Sequence, residues 1–225
     1  MKWDKGVGTV MSKKRWEGKS FIAFGTSITW NCDSFDGGYL DVIKERNRFA
    51  SYTNAGVSGA ALANETKNGA GINTKIRTTS VEKYDLVVIE CGTNDFKLNV
   101  KLGAVCKVKT GEFDTKTFYG ALQDSIEYIL KQYPHKRIML IADCQRDNDG
   151  YDVYYSNLVG HKLIDYINAI HEIGTLYGLP VCDWYRNAGI NAWTLDVYTY
   201  DGLHPNKDGY MALGNVAAAC VENMY

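Results

Sequence analysis

The run Leu86-Val87-Val88-Ile89 is apolar at every position and mostly β-branched, the pattern of a central parallel strand covered on both faces. Reading outward from it, Phe21-Ile22-Ala23-Phe24 is an earlier buried strand that stops at Gly25, and residues 49–54 give a second. On the other side, Arg137–Ala142 reads as a fourth strand and residues 179–182 as a short fifth. Helical stretches lie between and after them. These are residues 39–46, Phe118–Gln132, residues 158–177 stopped by Gly178, and the alanine-rich Lys207–Glu222. In Phe118–Gln132, Leu122, Ile126, Ile129 and Leu130 keep helical spacing ahead of Pro134. Such alternation predicts an α/β protein: a three-layer α/β/α sandwich around a parallel sheet of about five strands. Residues 97–115 and 143–156 break the alternation and read as surface excursions, the first with room for a hairpin. Both follow strand C-termini, the edge where open α/β sheets place ligands. Residues 1–15 read as a linker or flexible tail and 16–225 as one domain.

Charge narrows the function. The 225 residues carry 25 basic and 26 acidic side chains, a net charge of −1. Without a basic excess there is no electrostatic footprint for nucleic acid or an anionic membrane. No apolar run approaches the roughly 20 residues of a spanning helix. The first 19 residues lack the apolar stretch of a signal peptide. The expected location is therefore cytoplasmic or phage-associated, or the chain is a domain excised from a larger secreted protein. The six cysteines form neither a Cys-x-x-Cys pair nor a Cys/His cluster, so no metal site is expected and the thiols read as reduced and structural. Cys91 and Cys182, in or beside apolar runs, read as small buried hydrophobes.

Four segments carry candidate chemistry. Gly25-Thr26-Ser27-Ile28 follows the first strand, where a serine presents its hydroxyl at the sheet edge as a candidate nucleophile. Alone, Gly-x-Ser is also an ordinary turn. Asp201-Gly202-Leu203-His204-Pro205 spaces a carboxylate to hold an imidazole Nδ1–H and leave Nε2 as base, although an Asx turn with a surface histidine has the same sequence. Cys91-Gly92-Thr93-Asn94-Asp95 ends the central strand and offers the Asn94 amide to an oxyanion. Asn54-Ala55-Gly56-Val57-Ser58-Gly59 follows the second strand and offers the Gly56 backbone N–H. Together they supply a nucleophile, a base with its orienter, and two oxyanion donors on one sheet edge.

In this order, Gly-x-Ser, Asn-x-Gly, Gly-x-Asn-Asp and Asp-x-x-His-Pro, the chain from Ser20 onward resembles the SGNH hydrolase superfamily, the GDSL-type esterases and lipases. The resemblance implies a flavodoxin-like α/β/α fold and cofactor-free hydrolysis of acyl esters. It makes Ser27 the nucleophile, His204 the base and Asp201 its orienter, with Ser27, Gly56 and Asn94 forming the oxyanion hole. One departure stands out: the family usually has aspartate before the serine, and this chain has Thr26.

Thr26, Asp95, Trp184 and Trp193 are candidate substrate contacts. Trp30, Tyr185, Tyr198 and Tyr200 also flank the site segments, where aromatics can form a platform for sugar rings. His161 and His171 read as structural residues on one long helix, and His135 as a solvated turn residue. The expected activity is a serine esterase removing small acyl groups, above all acetyl, from a small-molecule or carbohydrate ester. The alternatives are a lysophospholipase or acyl-thioesterase, or an inactive binding module of a phage tail or cell-surface assembly. A nucleotide-binding flavodoxin-like protein is disfavoured, because no glycine run or Lys-Ser/Thr pair follows the first strand. Oligomeric state is not readable from the sequence.

Overall fold

The computed structural model describes residues 15–34, 38–63 and 71–224; of the expected tail at 1–15 it describes only Arg15, whose guanidinium donates to Met224 O, and the rest lies outside the described residues. Five strands form one parallel sheet in the order β2-β1-β3-β4-β5: β1 Ser20–Phe24, β2 Ser51–Asn54, β3 Leu86–Cys91, β4 Arg137–Ala142 and β5 Val181–Asp183. This is the flavodoxin-like order, with its switch point between β1 and β3. β3 is buried at every position, as an apolar strand with helices on both faces must be.

Helices cover the two faces unequally. On one, α2 (Tyr39–Asn47) and α9 (Lys207–Glu222) pack together over Phe21, Ala23, Val88 and Ile141. On the other, α3 (Ile72–Arg77), α5 (Phe118–Gln132) and α6 (Leu163–Tyr177) cover Ile22, Phe24, Ile89 and Leu140. The remaining helices are short: α1 (Ser27–Trp30), α4 (Thr93–Lys97), α7 (Trp184–Asn187) and α8 (Leu195–Tyr198). Both α1 and α4 start directly behind a strand, at the C-terminal edge of the sheet. Among the described residues no helix is long and apolar enough to cross a membrane.

Three boundaries differ from the sequence expectation. The long helix begins at Leu163 rather than residue 158, because the Asn157 side chain takes the Val159 and His161 N–H groups at 3.2 and 2.9 Å, and a side chain that occupies backbone donors competes with helix formation. His161 therefore sits ahead of the helix that carries His171. The second strand begins at Ser51: the Phe49 N–H closes α2 by bonding Lys44 O at 2.9 Å, while its ring stacks on Trp16 and meets Phe21 edge-on. Residues 98–117 contain no strand, so the hairpin is not formed. Instead α5 side chains take that segment's donors, Gln123 from Cys106 N and Glu127 from Lys109 N, both at 2.7 Å.

Candidate active site

The chain leaves β1 through Gly25, where an added Cβ would run into Thr29 Oγ1 and Glu90 Oε2. Thr26 then caps α1, its Oγ1 accepting the Ile28 N–H at 3.2 Å, the usual service of a threonine at this position. Ser27 is the first helical residue and only 5% exposed. Its backbone N–H, at the open end of the helix, has no acceptor among the described residues.

Ser27 Oγ lies 2.9 Å from His204 Nε2, and His204 Nδ1 lies 2.7 Å from Asp201 Oδ2. The turn that carries both partners is over-determined. Asp201 Oδ1 accepts the Leu203 and His204 N–H groups at 3.0 and 2.7 Å. Gly202, at φ +78°, lets the turn lie against the 143–156 loop, where Asp147 N donates to Gly202 O at 2.9 Å and a Cβ would crowd Asp147 O. Partial burial alone would raise the Asp201 carboxyl, but the His204 N–H and imidazole outweigh it and hold the group below the ordinary carboxylate range. Tyr200 stacks on the His204 ring at 5.6 Å and 14°. The arrangement can pass the hydroxyl proton to a neutral imidazole whose other nitrogen is tied to a carboxylate.

The two expected oxyanion donors fare differently. Asn94, in α4, is 7% exposed and uses one amide hydrogen on Ala60 O at 2.9 Å, while the other has no acceptor among the described residues. Gly56 does not offer its N–H: Asn54 Oδ1 holds it at 2.9 Å. That glycine is required instead because a Cβ would strike Trp30 N. Gly59, at φ +73° and next to Ala60, has an N–H without an acceptor among the described residues.

Thr26, Asp95 and Trp184 are wholly buried and present no surface to a substrate. Asp95 accepts the Leu62 and Ala63 N–H groups at 2.9 and 3.1 Å. Trp184 donates its Nε1–H to Leu213 O at 3.0 Å and packs edge-on against Tyr39. Trp193 is 94% exposed, and Trp30 and Tyr200 are exposed by about half.

Sequence reasoning missed a buried acid layer behind these loops. Glu90, Asp95 and Asp143 are all inaccessible to solvent. Glu90 accepts from Thr26, and Asp143 Oδ2 accepts the Thr93 N–H at 2.8 Å. Arg146, read from sequence as part of a charged surface loop, is also buried and donates to Thr93 Oγ1 at 2.9 Å. A lone Glu inside the apolar run 86–91 was the signal available for Glu90. His171, unconnected with these loops, pairs with Asp183 at 2.6 Å.

The family model for GDSL-like lipases/acylhydrolases matches residues 23–212. Among solved structures, a Lactobacillus plantarum protein aligns at 23% identity over 93% of this chain and 99% of its own, with a TM-score of 0.79. A lipase/acylhydrolase from Enterococcus faecalis aligns at 22% identity over 91% and 95%, with a TM-score of 0.63. An acetyl xylan esterase aligns at 19% identity over 90% and 99%, with a TM-score of 0.64. These likenesses show a shared fold. No curated protein matches the sequence.

Proposed function

The chain belongs to the GDSL-like lipase/acylhydrolase family and is a hydrolase of esters, and from that premise we propose that Ser27 is its nucleophile, His204 the general base and Asp201 the residue that orients His204. The observation that carries this reading is the unbroken chain Ser27 Oγ–His204 Nε2–His204 Nδ1–Asp201 Oδ2, at 2.9 and 2.7 Å. Ser27 attacks the acyl carbon as Nε2 takes its proton. The imidazolium returns that proton to the leaving alkoxide, and water then repeats the sequence on the acyl-enzyme. The developing oxyanion is met by the Ser27 N–H, the free Asn94 amide hydrogen and the Gly59 N–H. Gly59 replaces Gly56 in that role because its donor is uncommitted.

The substrate of this reading is a small acyl ester, above all an acetyl ester on a carbohydrate. Asp147 stands exposed beside the turn that carries His204, its N–H on Gly202 O, and burying a long acyl chain against it would desolvate charge. The exposed rings of Trp30 and Tyr200 offer flat apolar contact with polar tips, which suits a sugar face. Hydrolysis of p-nitrophenyl acetate by single variants tests the assignment. Ser27→Ala and His204→Ala should each lose at least about 1000-fold in kcat. Asp201→Ala should lose less, since the imidazole still reaches Ser27 from a poorly held tautomer. A Ser27→Ala variant with wild-type kcat would overturn the reading.

A further inference from the structure

Resting on Ser27 as nucleophile, we propose that Glu90 is a positioning residue for it: a buried carboxylate that fixes the segment from which both the Ser27 hydroxyl and its N–H project. Glu90 is the single charged residue of β3, whose other positions are Leu86, Val87, Val88, Ile89 and Cys91. Burying a carboxylate there is costly unless donors meet it, and an apolar side chain would serve packing better.

The backbone N–H and hydroxyl donors it collects come from residues 26–29. Thr26 N–H reaches Oε2 at 2.7 Å, the Thr26 hydroxyl reaches Oε1 at 2.8 Å, and the Thr29 hydroxyl reaches Oε2 at 2.7 Å. Thr29 spends its hydrogen on Glu90, so its oxygen accepts from Tyr39 OH at 2.8 Å. Gly25 is bare because the carboxylate and Thr29 occupy the space of its Cβ. Helix α1 has four residues, too few to hold their own geometry without outside contacts. The bracket of Glu90, Thr26 and Thr29 supplies those contacts, one on each side of Ser27.

The same carboxylate reaches the second site loop. Asp143 is buried with it: burial first, and then the charge of Glu90, push the Asp143 carboxyl up. Asp143 Oδ2 holds the Thr93 N–H, one residue before Asn94. The two buried carboxyls thus receive donors from both the nucleophile segment and the Asn94 segment.

The experiment separates positioning from folding by measuring kcat and KM for p-nitrophenyl acetate, and the rate constant of fluorophosphonate labelling, per titrated active site. Glu90→Gln puts amide hydrogens where donors already point. It should lower kcat and the labelling rate together by about 30- to 100-fold, with KM within threefold, as expected for a displaced nucleophile. Thr26→Val, which removes one donor and keeps the N–H, should lower both by about tenfold, and Thr26→Ser should recover most of that loss. If Glu90→Gln does not fold, the Thr26 pair carries the test. Variants that lower Tm but keep kcat and labelling rate within twofold overturn the proposal while leaving Ser27 as nucleophile. Label mapping to another residue in the wild-type protein overturns the nucleophile reading itself.

Discussion

Asn94 and Asp95 are neighbours whose side chains serve different ends. In the proposed mechanism the Asn94 amide offers its second hydrogen to the charge that develops during reaction. Asn94→Ala should therefore lower kcat by roughly 100-fold, while stability falls by only about 1 kcal/mol from the lost bond to Ala60 O. An unchanged kcat would remove Asn94 from the oxyanion hole. Asp95 instead anchors the 62–63 backbone, and burial pushes its carboxyl up to about 7, against the pull of those N–H groups. A carboxyl raised in the folded state keeps its proton where the unfolded chain has lost it. Its contribution is thus full at low pH and is lost as pH rises from about 4 to about 7, at up to about 1.4 kcal/mol per unit. Urea titrations should show that slope in the wild type and a shallower one in Asp95→Asn; equal slopes would contradict it. The grouping of Ser27, Asp201 and His204 was readable from motif order. Gly56 was misread because Asn54, two residues ahead, turns its side chain onto that N–H, an Asx turn that the Asn-Ala-Gly spacing already permitted.

Among the elements, the strands were legible because β3 and β4 are nearly uniform apolar runs, and α5 because its periodicity and Pro134 agree. The short helices α1, α3, α4, α7 and α8 span four to six residues, less than two turns, so no hydrophobic period can announce them. The start of α6 was hidden for another reason. Residues 158–162 are compatible with a helix, but buried Asn157 binds Val159 N and His161 N with one end and Phe96 O and Tyr166 OH with the other. This side chain ties α4 to α6. Asn157→Ala strands those groups and should cost about 2 kcal/mol or more, a Tm drop of roughly 4–8 °C for a chain of this size. A thermal melt within 1 °C of wild type would show that the residue only marks the boundary.

At the scale of the molecule, the strand order places the ends of β1, β2 and β3 side by side, with the turn before α9 folded over them. The parallel sheet with helices on both faces was legible from strand–helix alternation, and its flavodoxin-like order only through the resemblance. The acid layer of Glu90, Asp95 and Asp143 was not, because spacing in sequence does not reveal which carboxylates are sealed from water. The exposed charge of Asp147 beside the His204 turn carries a prediction about substrate. Across p-nitrophenyl esters, kcat/KM should be highest at acetate and fall with each longer acyl chain, and acetylated oligosaccharides should release acetate. A maximum at octanoate or beyond with no release from any sugar would favour a lysophospholipase.

The central claim, that this edge is built around a covalent serine, meets its most direct test in mass-spectrometric mapping of the protein after reaction with a fluorophosphonate. One adduct per chain is expected, on the peptide containing Ser27, lost in Ser27→Ala and strongly slowed in His204→Ala. An adduct on another serine such as Ser58, or no adduct on a protein that still hydrolyses esters, would contradict it.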